Sequence, residues 1–96
     1  GQLIINFNTH EVFVSDEQIH LTPIEYRLLI QLARNSGKIM THRSLLEKVW
    51  GSEYTGDINF LKKYIYRLRC KIEPAPHSPS MLITERGFGY KLVKSV

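Results

Sequence analysis

Ninety-six residues, 43% of them hydrophobic and 23% charged, make an ordinary globular chain that can bury one modest core and little else. Thirteen Lys and Arg against nine Asp and Glu leave a formal charge of +4, which permits polyanion binding without requiring it. The longest apolar runs are three residues, as at Leu3-Ile4-Ile5 and Leu28-Leu29-Ile30, so no segment reads as a membrane span.

The first twenty residues alternate between apolar and polar. Leu3, Ile5 and Phe7, then Val12 and Val14, then Ile19 and Leu21 predict three short antiparallel strands over 2–21, with turns at Asn8-Thr9 and Ser15-Asp16-Glu17. Thr22-Pro23-Ile24-Glu25 is a helix start: Thr22 as N-cap, Pro23 in the first position, Glu25 closing a capping box. Ile24, Leu28, Leu29, Leu32 and Ala33 give that helix an apolar stripe, and Asn35-Ser36-Gly37 ends it. Thr41 caps a second, shorter helix carrying Leu45, Leu46, Val49 and Trp50, stopped by Gly51. After a polar loop over 51–56, Asp57 caps a third helix running to about Glu73, where Pro74, Pro76 and Pro79 forbid continuation. Apolar runs at 81–84 and 90–93 flank Glu85-Arg86-Gly87-Phe88-Gly89 and predict a hairpin over 81–93 with a glycine-rich tip. The fold class that follows is α+β: a winged helix-turn-helix with an N-terminal antiparallel sheet, a three-helix core over 22–73 and a C-terminal wing, all in one domain over 1–96.

The third helix is the informative element. From Ile58 to Ile72 there is no acidic residue, yet Lys62, Lys63, Arg67, Arg69 and Lys71 all fall there. At helical spacing Ile58, Leu61, Ile65, Leu68 and Ile72 share one narrow face, while Asn59, Lys63, Tyr66, Arg67 and Cys70 project opposite, with Lys62 and Arg69 on the flanks. Cations that neutralise phosphates, with Arg and Asn able to pair with base edges, suit a major groove. The alternative is a solvated amphipathic face, but such a face ordinarily mixes Glu with Lys. At the wing tip, Arg86 suits a minor groove, and a solvent-exposed turn residue paired with Glu85 is an equally good account.

These features together resemble the OmpR/PhoB-type winged-helix effector domain of bacterial two-component response regulators, over roughly residues 3–92. The resemblance is carried by Leu21-Thr22-Pro23-Ile24-Glu25-Tyr26 with Leu28-Leu29 and Leu32; by Asn35-Ser36-Gly37-Lys38-Ile39; by Arg43, Leu45 and Val49-Trp50-Gly51; by Ile65-Tyr66-Arg67-Leu68-Arg69 with Lys71-Ile72; and by Ile83-Thr84 with Arg86-Gly87-Phe88-Gly89-Tyr90. It implies sequence-specific binding of double-stranded DNA at promoter direct repeats, regulating transcription in the cytoplasm, with the third helix (about 57–73) in the major groove and the hairpin in the minor groove. It implies base-facing Lys63, Tyr66 and Arg67, backbone contacts or support from Trp50, Tyr64, Arg69, Thr84 and Tyr90, and Arg86 in the minor groove; Asn59 and Lys62 complete the expected DNA-binding set. Loop 51–56, with Ser52, Glu53, Tyr54 and Thr55, corresponds to the loop that contacts RNA polymerase. A four-stranded N-terminal sheet is also implied, its last strand at Ile19-His20-Leu21, and a phosphorylatable receiver domain that these residues do not contain. Leu61-Lys62-Lys63-Tyr64-Ile65 departs from the Val-Asp-Val-His-Ile of many members; Leu61 with Tyr64, and Ile83-Thr84-Glu85, look closest to the potassium-responsive KdpE-like branch.

Other classes fit less well. Arg86-Gly87-Phe88-Gly89-Tyr90 matches the opening of an RNA-recognition RNP1 pattern, but Lys91 and Val93 break it and too few residues follow. Gly87-Phe88-Gly89 lacks the third glycine of a dinucleotide fingerprint, and His10, His20, His42 and His77 have no ligand spacing, so no enzyme, metal site or cofactor is expected. Trp50 reads more readily as core packing than as a stacking platform. Cys70 is the single cysteine and has no disulfide or CxxC partner, in keeping with a reducing compartment. No signal peptide is read at the start, and Gly1 reads as a cut point. The competing function is a winged-helix protein-interaction module without specific DNA binding.

Overall fold

The alternating N-terminal segment folds as an antiparallel meander of β1 (Leu3–Ile5), β2 (Val12–Val14) and β3 (Glu17–Ile19), in the computed structural model that describes residues 3–54 and 57–93. Ile5 lies opposite Val12 and Val12 opposite Ile19, so the apolar residues share one face. Ser15 and Asp16 both take positive φ (50° and 69°), the two-residue turn whose twist matches a hairpin. Glu17 is therefore the first residue of β3 and not part of the turn. Ile19 closes that strand, and the fourth strand expected at 19–21 is absent among the described residues.

Three helices follow: α1 (Pro23–Arg34), α2 (His42–Val49) and α3 (Ile58–Ile72). Their starts follow from local chemistry. Thr22 Oγ1 accepts from the Glu25 amide at 3.2 Å while the Thr22 amide donates to the Glu25 carboxylate at 2.9 Å, the reciprocal pair of a capping box. Thr41 accepts from the Ser44 amide and Asp57 from the Phe60 amide, each three residues on. After α1 the chain turns at Gly37, whose φ of 82° suits a residue without a Cβ.

The expected hairpin is present as β5 (Leu82–Glu85) and β6 (Gly89–Leu92), but it is two strands of three. A two-residue strand, β4 (Met40–Thr41), pairs with the outer side of β6, giving the order β4-β6-β5. Gly89 belongs to this junction more than to the tip: a Cβ there would fall on the Met40 carbonyl and within 2.8 Å of Thr41 Cα. The core between the elements is built from Leu28, Leu29 and Leu32 of α1, Leu45 and Leu46 of α2, Leu61, Ile65, Leu68 and Ile72 of α3, and Leu82 of the wing, all fully buried. Deleting any of these would leave a cavity costing about 2–5 kcal/mol. Buried along the face of Leu61, Ile65, Leu68 and Ile72, α3 shows its opposite face to solvent.

Candidate nucleic-acid interface

Four of the five residues predicted on the inner face of α3 are buried; Ile58, the first residue of the helix, is not, being 42% exposed. On the outer face Asn59, Lys62, Lys63, Tyr66, Arg67 and Cys70 are all exposed. Among the described residues no carboxylate lies within ion-pair distance of Lys62, Lys63 or Arg67. The Arg67 guanidinium sits over the Tyr64 ring, 5.1 Å from its centroid. The neighbouring Cys70 holds the Tyr66 phenol above its ordinary pKa, so it stays a neutral hydroxyl at neutral pH.

The two cations nearest the end of α3 are placed differently. Lys71 Nζ lies 2.6 Å from the Glu25 carboxylate of α1 and donates to the His20 carbonyl. Burial alone would raise Glu25, but Lys71 and the Thr22 cap outweigh it, and the carboxylate is held below its ordinary range. Arg69 reaches across to the wing: its Nε and one terminal nitrogen donate to the Leu82 carbonyl at 3.0 and 2.8 Å, and that nitrogen also donates to Thr84 Oγ1 at 2.8 Å. The apparent absence of counter-charge on this helix thus ends at residue 67.

Beyond the last turn, Glu73 is buried and accepts four hydrogen bonds from the start of the wing: the amides of Ser80, Met81 and Leu82 at 3.1, 2.9 and 2.8 Å, and the Ser80 hydroxyl at 3.3 Å. Desolvation pushes its pKa up, and these donors bring it down below the ordinary value. The carboxylate closes the proline-rich loop and sets where β5 begins.

At the other end of α3, Trp50 packs against Phe60 and Tyr64 with ring centroids 4.9 and 5.1 Å apart, and Phe60 and Tyr64 close the triangle at 5.2 Å. Trp50 and Tyr64 are half-buried here. Tyr90 lies in the core beneath the wing. Only 3% exposed, it lies edge-on to His42 and near the Arg69 guanidinium, and burial raises its phenol while Arg69 opposes the shift. Its ring supports the wing from beneath; it has almost no surface to offer a ligand. Thr84 is exposed, with its hydroxyl engaged by Arg69.

Arg86 stands at the tip, exposed, in a turn closed by the Phe88 amide donating to the Glu85 carbonyl at 2.9 Å and relieved at Gly87 by a φ of 85°. Glu85 pairs with Lys91 at 3.0 Å, so the Glu85–Arg86 pairing considered as the alternative is not what Glu85 makes. Ser52 to Tyr54 form one 3-10 turn with Ser52 and Glu53 exposed; Thr55 and Gly56 of the loop lie outside the described residues. Among the described residues no three His, Cys, Asp or Glu side chains are grouped to hold a metal ion, and no helix is long and apolar enough to cross a membrane.

An exposed basic helix joined by an arginine to a hairpin with a free cation at its tip is the arrangement a duplex can meet at two grooves. The family model described as "Transcriptional regulatory protein, C terminal" matches residues 16–92. The chain belongs to this family. Its curated relatives include the sensory transduction protein RegX3 of Mycolicibacterium smegmatis, 44% identical over 92 residues, and the DNA-binding response regulator MtrA of the same organism, 41% identical over 91. These alignments cover 96% and 95% of this chain but 40% of each relative, so the chain spans about two-fifths of their length. Among solved structures, the DNA-binding domain of Klebsiella pneumoniae RstA in complex with the RstA box superposes with a TM-score of 0.88 at 29% identity, covering 97% of this chain and 92% of that one. The Thermotoga maritima response regulator DrrB, an OmpR/PhoB homologue, gives 0.87 at 34% identity, covering 97% and 42%. The family's fold is thus the OmpR/PhoB-type winged helix, a DNA-binding output domain of response regulators.

One group that shapes the wing, Glu73, shows in the sequence only as a helix end; its four bonds to Ser80, Met81 and Leu82 depend on residues seven to nine positions further on. The exposure of Phe88 at the tip is likewise not legible from the motif that contains it.

Proposed function

We propose that this chain binds double-stranded DNA sequence-specifically at promoter direct repeats, as the output part of a cytoplasmic two-component response regulator. In this reading α3 enters the major groove. Arg67, Lys63 and Tyr66 face bases, while Asn59 and Lys62 reach base edges or phosphates, and Arg86 enters the minor groove. Trp50, Tyr64 and Tyr90 act from behind the surface by fixing the start of α3 and the base of the wing; Arg69 and Thr84 fix the angle between helix and wing. Ser52, Glu53, Tyr54 and Thr55 form the RNA polymerase contact. The carrying observation is that Lys62, Lys63, Arg67 and Arg86 are exposed and have no carboxylate partner among the described residues. Leu61 with Tyr64, and the Ile83-Thr84-Glu85 run, support the potassium-responsive KdpE-like branch, which footprinting on potassium-regulated promoters tests.

The direct test is equilibrium binding to duplexes selected from randomised DNA, titrated in salt. Phosphate neutralisation releases counterions, and four free cations give a slope of log K on log[salt] of about −3 to −4. A flat plot would replace this reading with the protein-interaction module.

A further inference from the structure

Phe88 is 65% exposed, and among the described residues no large apolar side chain is more so. Isolated apolar residues on a surface need no explanation in general. This one, however, sits on a hairpin tip that is held at several points. The turn is closed by its own amide bonding to the Glu85 carbonyl, and the strands below are tied by the Glu85–Lys91 ion pair. Arg69 clamps β5 through Leu82 and Thr84, and Gly89 seats β6 against the Met40 carbonyl. A phenyl ring is thereby presented to solvent two residues from Arg86, a cation without an acidic partner among the described residues. Pairing a groove-seeking arginine with a bare apolar wedge on a preorganised arm is the chemistry by which minor-groove proteins part a base step.

We infer that Phe88 is a minor-groove wedge, resting on the reading of the hairpin as a DNA-contacting wing. Arg86 draws the tip into the groove through its negative potential, and Phe88 then presses between neighbouring base pairs and kinks the duplex. The consequence is a preference for steps that unstack easily, TA and CA/TG, at a position where no hydrogen bond reads the base.

The experiment uses the 96-residue chain and 30-bp duplexes recovered by selection, resynthesised with TpA, CpA or ApA at the step nearest the wing and with a fluorophore at each end. The expected result is a kink of at least about 20° from energy transfer and a roughly tenfold preference for TpA over ApA. Phe88→Ala should abolish both while still binding the duplex, and Phe88→Leu, which keeps apolar bulk, should retain most of each. A straight bound duplex, or a Phe88→Ala variant with the kink and step preference intact, overturns the wedge and leaves the DNA-binding reading standing. Failure of the unsubstituted chain to bind any duplex overturns both.

Discussion

The outer face of α3 and its last turn carry the same kind of residue and do opposite things with it. Lys62, Lys63 and Arg67 are exposed and unpaired by any described carboxylate. Arg69 and Lys71, two and four residues further on, are spent on the Leu82 carbonyl, Thr84 and Glu25. The helix is uniformly basic in sequence, yet only its first three turns offer charge to a ligand. Its end uses charge to hold the wing and the start of α1 in place. A count of cations on a recognition helix is therefore not a count of phosphate contacts, and this division yields graded expectations.

The largest effect falls on the anchored end. Glu73→Ala would leave three amides at the start of the wing without their acceptor, costing about 3 kcal/mol, or roughly 10–20 °C in Tm by thermal melting. Its pH signature is fixed in sign. The folded pKa values of Glu73 and Glu25 are lowered, so their contribution is complete above the ordinary carboxylate pKa and is lost as pH falls through the lower folded values. Melts from pH 7 to pH 3 should lose stability steeply below about pH 4.5, and Glu73→Gln should flatten that fall. An unchanged acid limb would break the assignment.

Next comes Arg67→Ala, expected to lose about 10- to 100-fold in affinity for selected duplex, far less for random duplex, and nothing in Tm. Arg69→Ala should do the reverse: Tm falls with a stability cost of about 1–2 kcal/mol, and selected and random duplexes weaken by a common factor because the wing loses its angle. The smallest effect is expected for Lys71→Ala. Its side chain is about one-third exposed, so the loss is near 1 kcal/mol of stability, and the salt slope of DNA binding should not move. A slope reduced by about one unit would show that Lys71 releases Glu25 to reach a phosphate, erasing the distinction between the two parts of the helix.

Elements fixed by neighbours in sequence were legible before the fold was seen. The cap at Thr22 with Glu25, the cap at Asp57, the inner stripe of α3 from Leu61 to Ile72 and the hairpin turn all depend on residues a few positions apart. What escaped depends on distant partners. β4 is two residues long and exists only because β6, about fifty residues later, pairs with it. Lys71 meets Glu25 across 46 positions, and Arg69 meets Leu82 across 13. Ile58 satisfies the helical period but, as the first residue of α3, is exposed. The site followed the same division: the outward identity of Lys63, Tyr66 and Arg67 came from periodicity, whereas the burial of Tyr90 and the occupation of Arg69 came from tertiary packing.

Gly89 has an engineering consequence. Because no side chain fits between it and the Met40 carbonyl, the wing is bolted to the connection between α1 and α2 at a point that tolerates no change. The three residues before it, Arg86, Gly87 and Phe88, are exposed, and the turn holds Gly87 to its identity through a φ of 85°. The tip is thus an interchangeable head on a fixed mount, and its chemistry can be rewritten without disturbing how the arm is aimed.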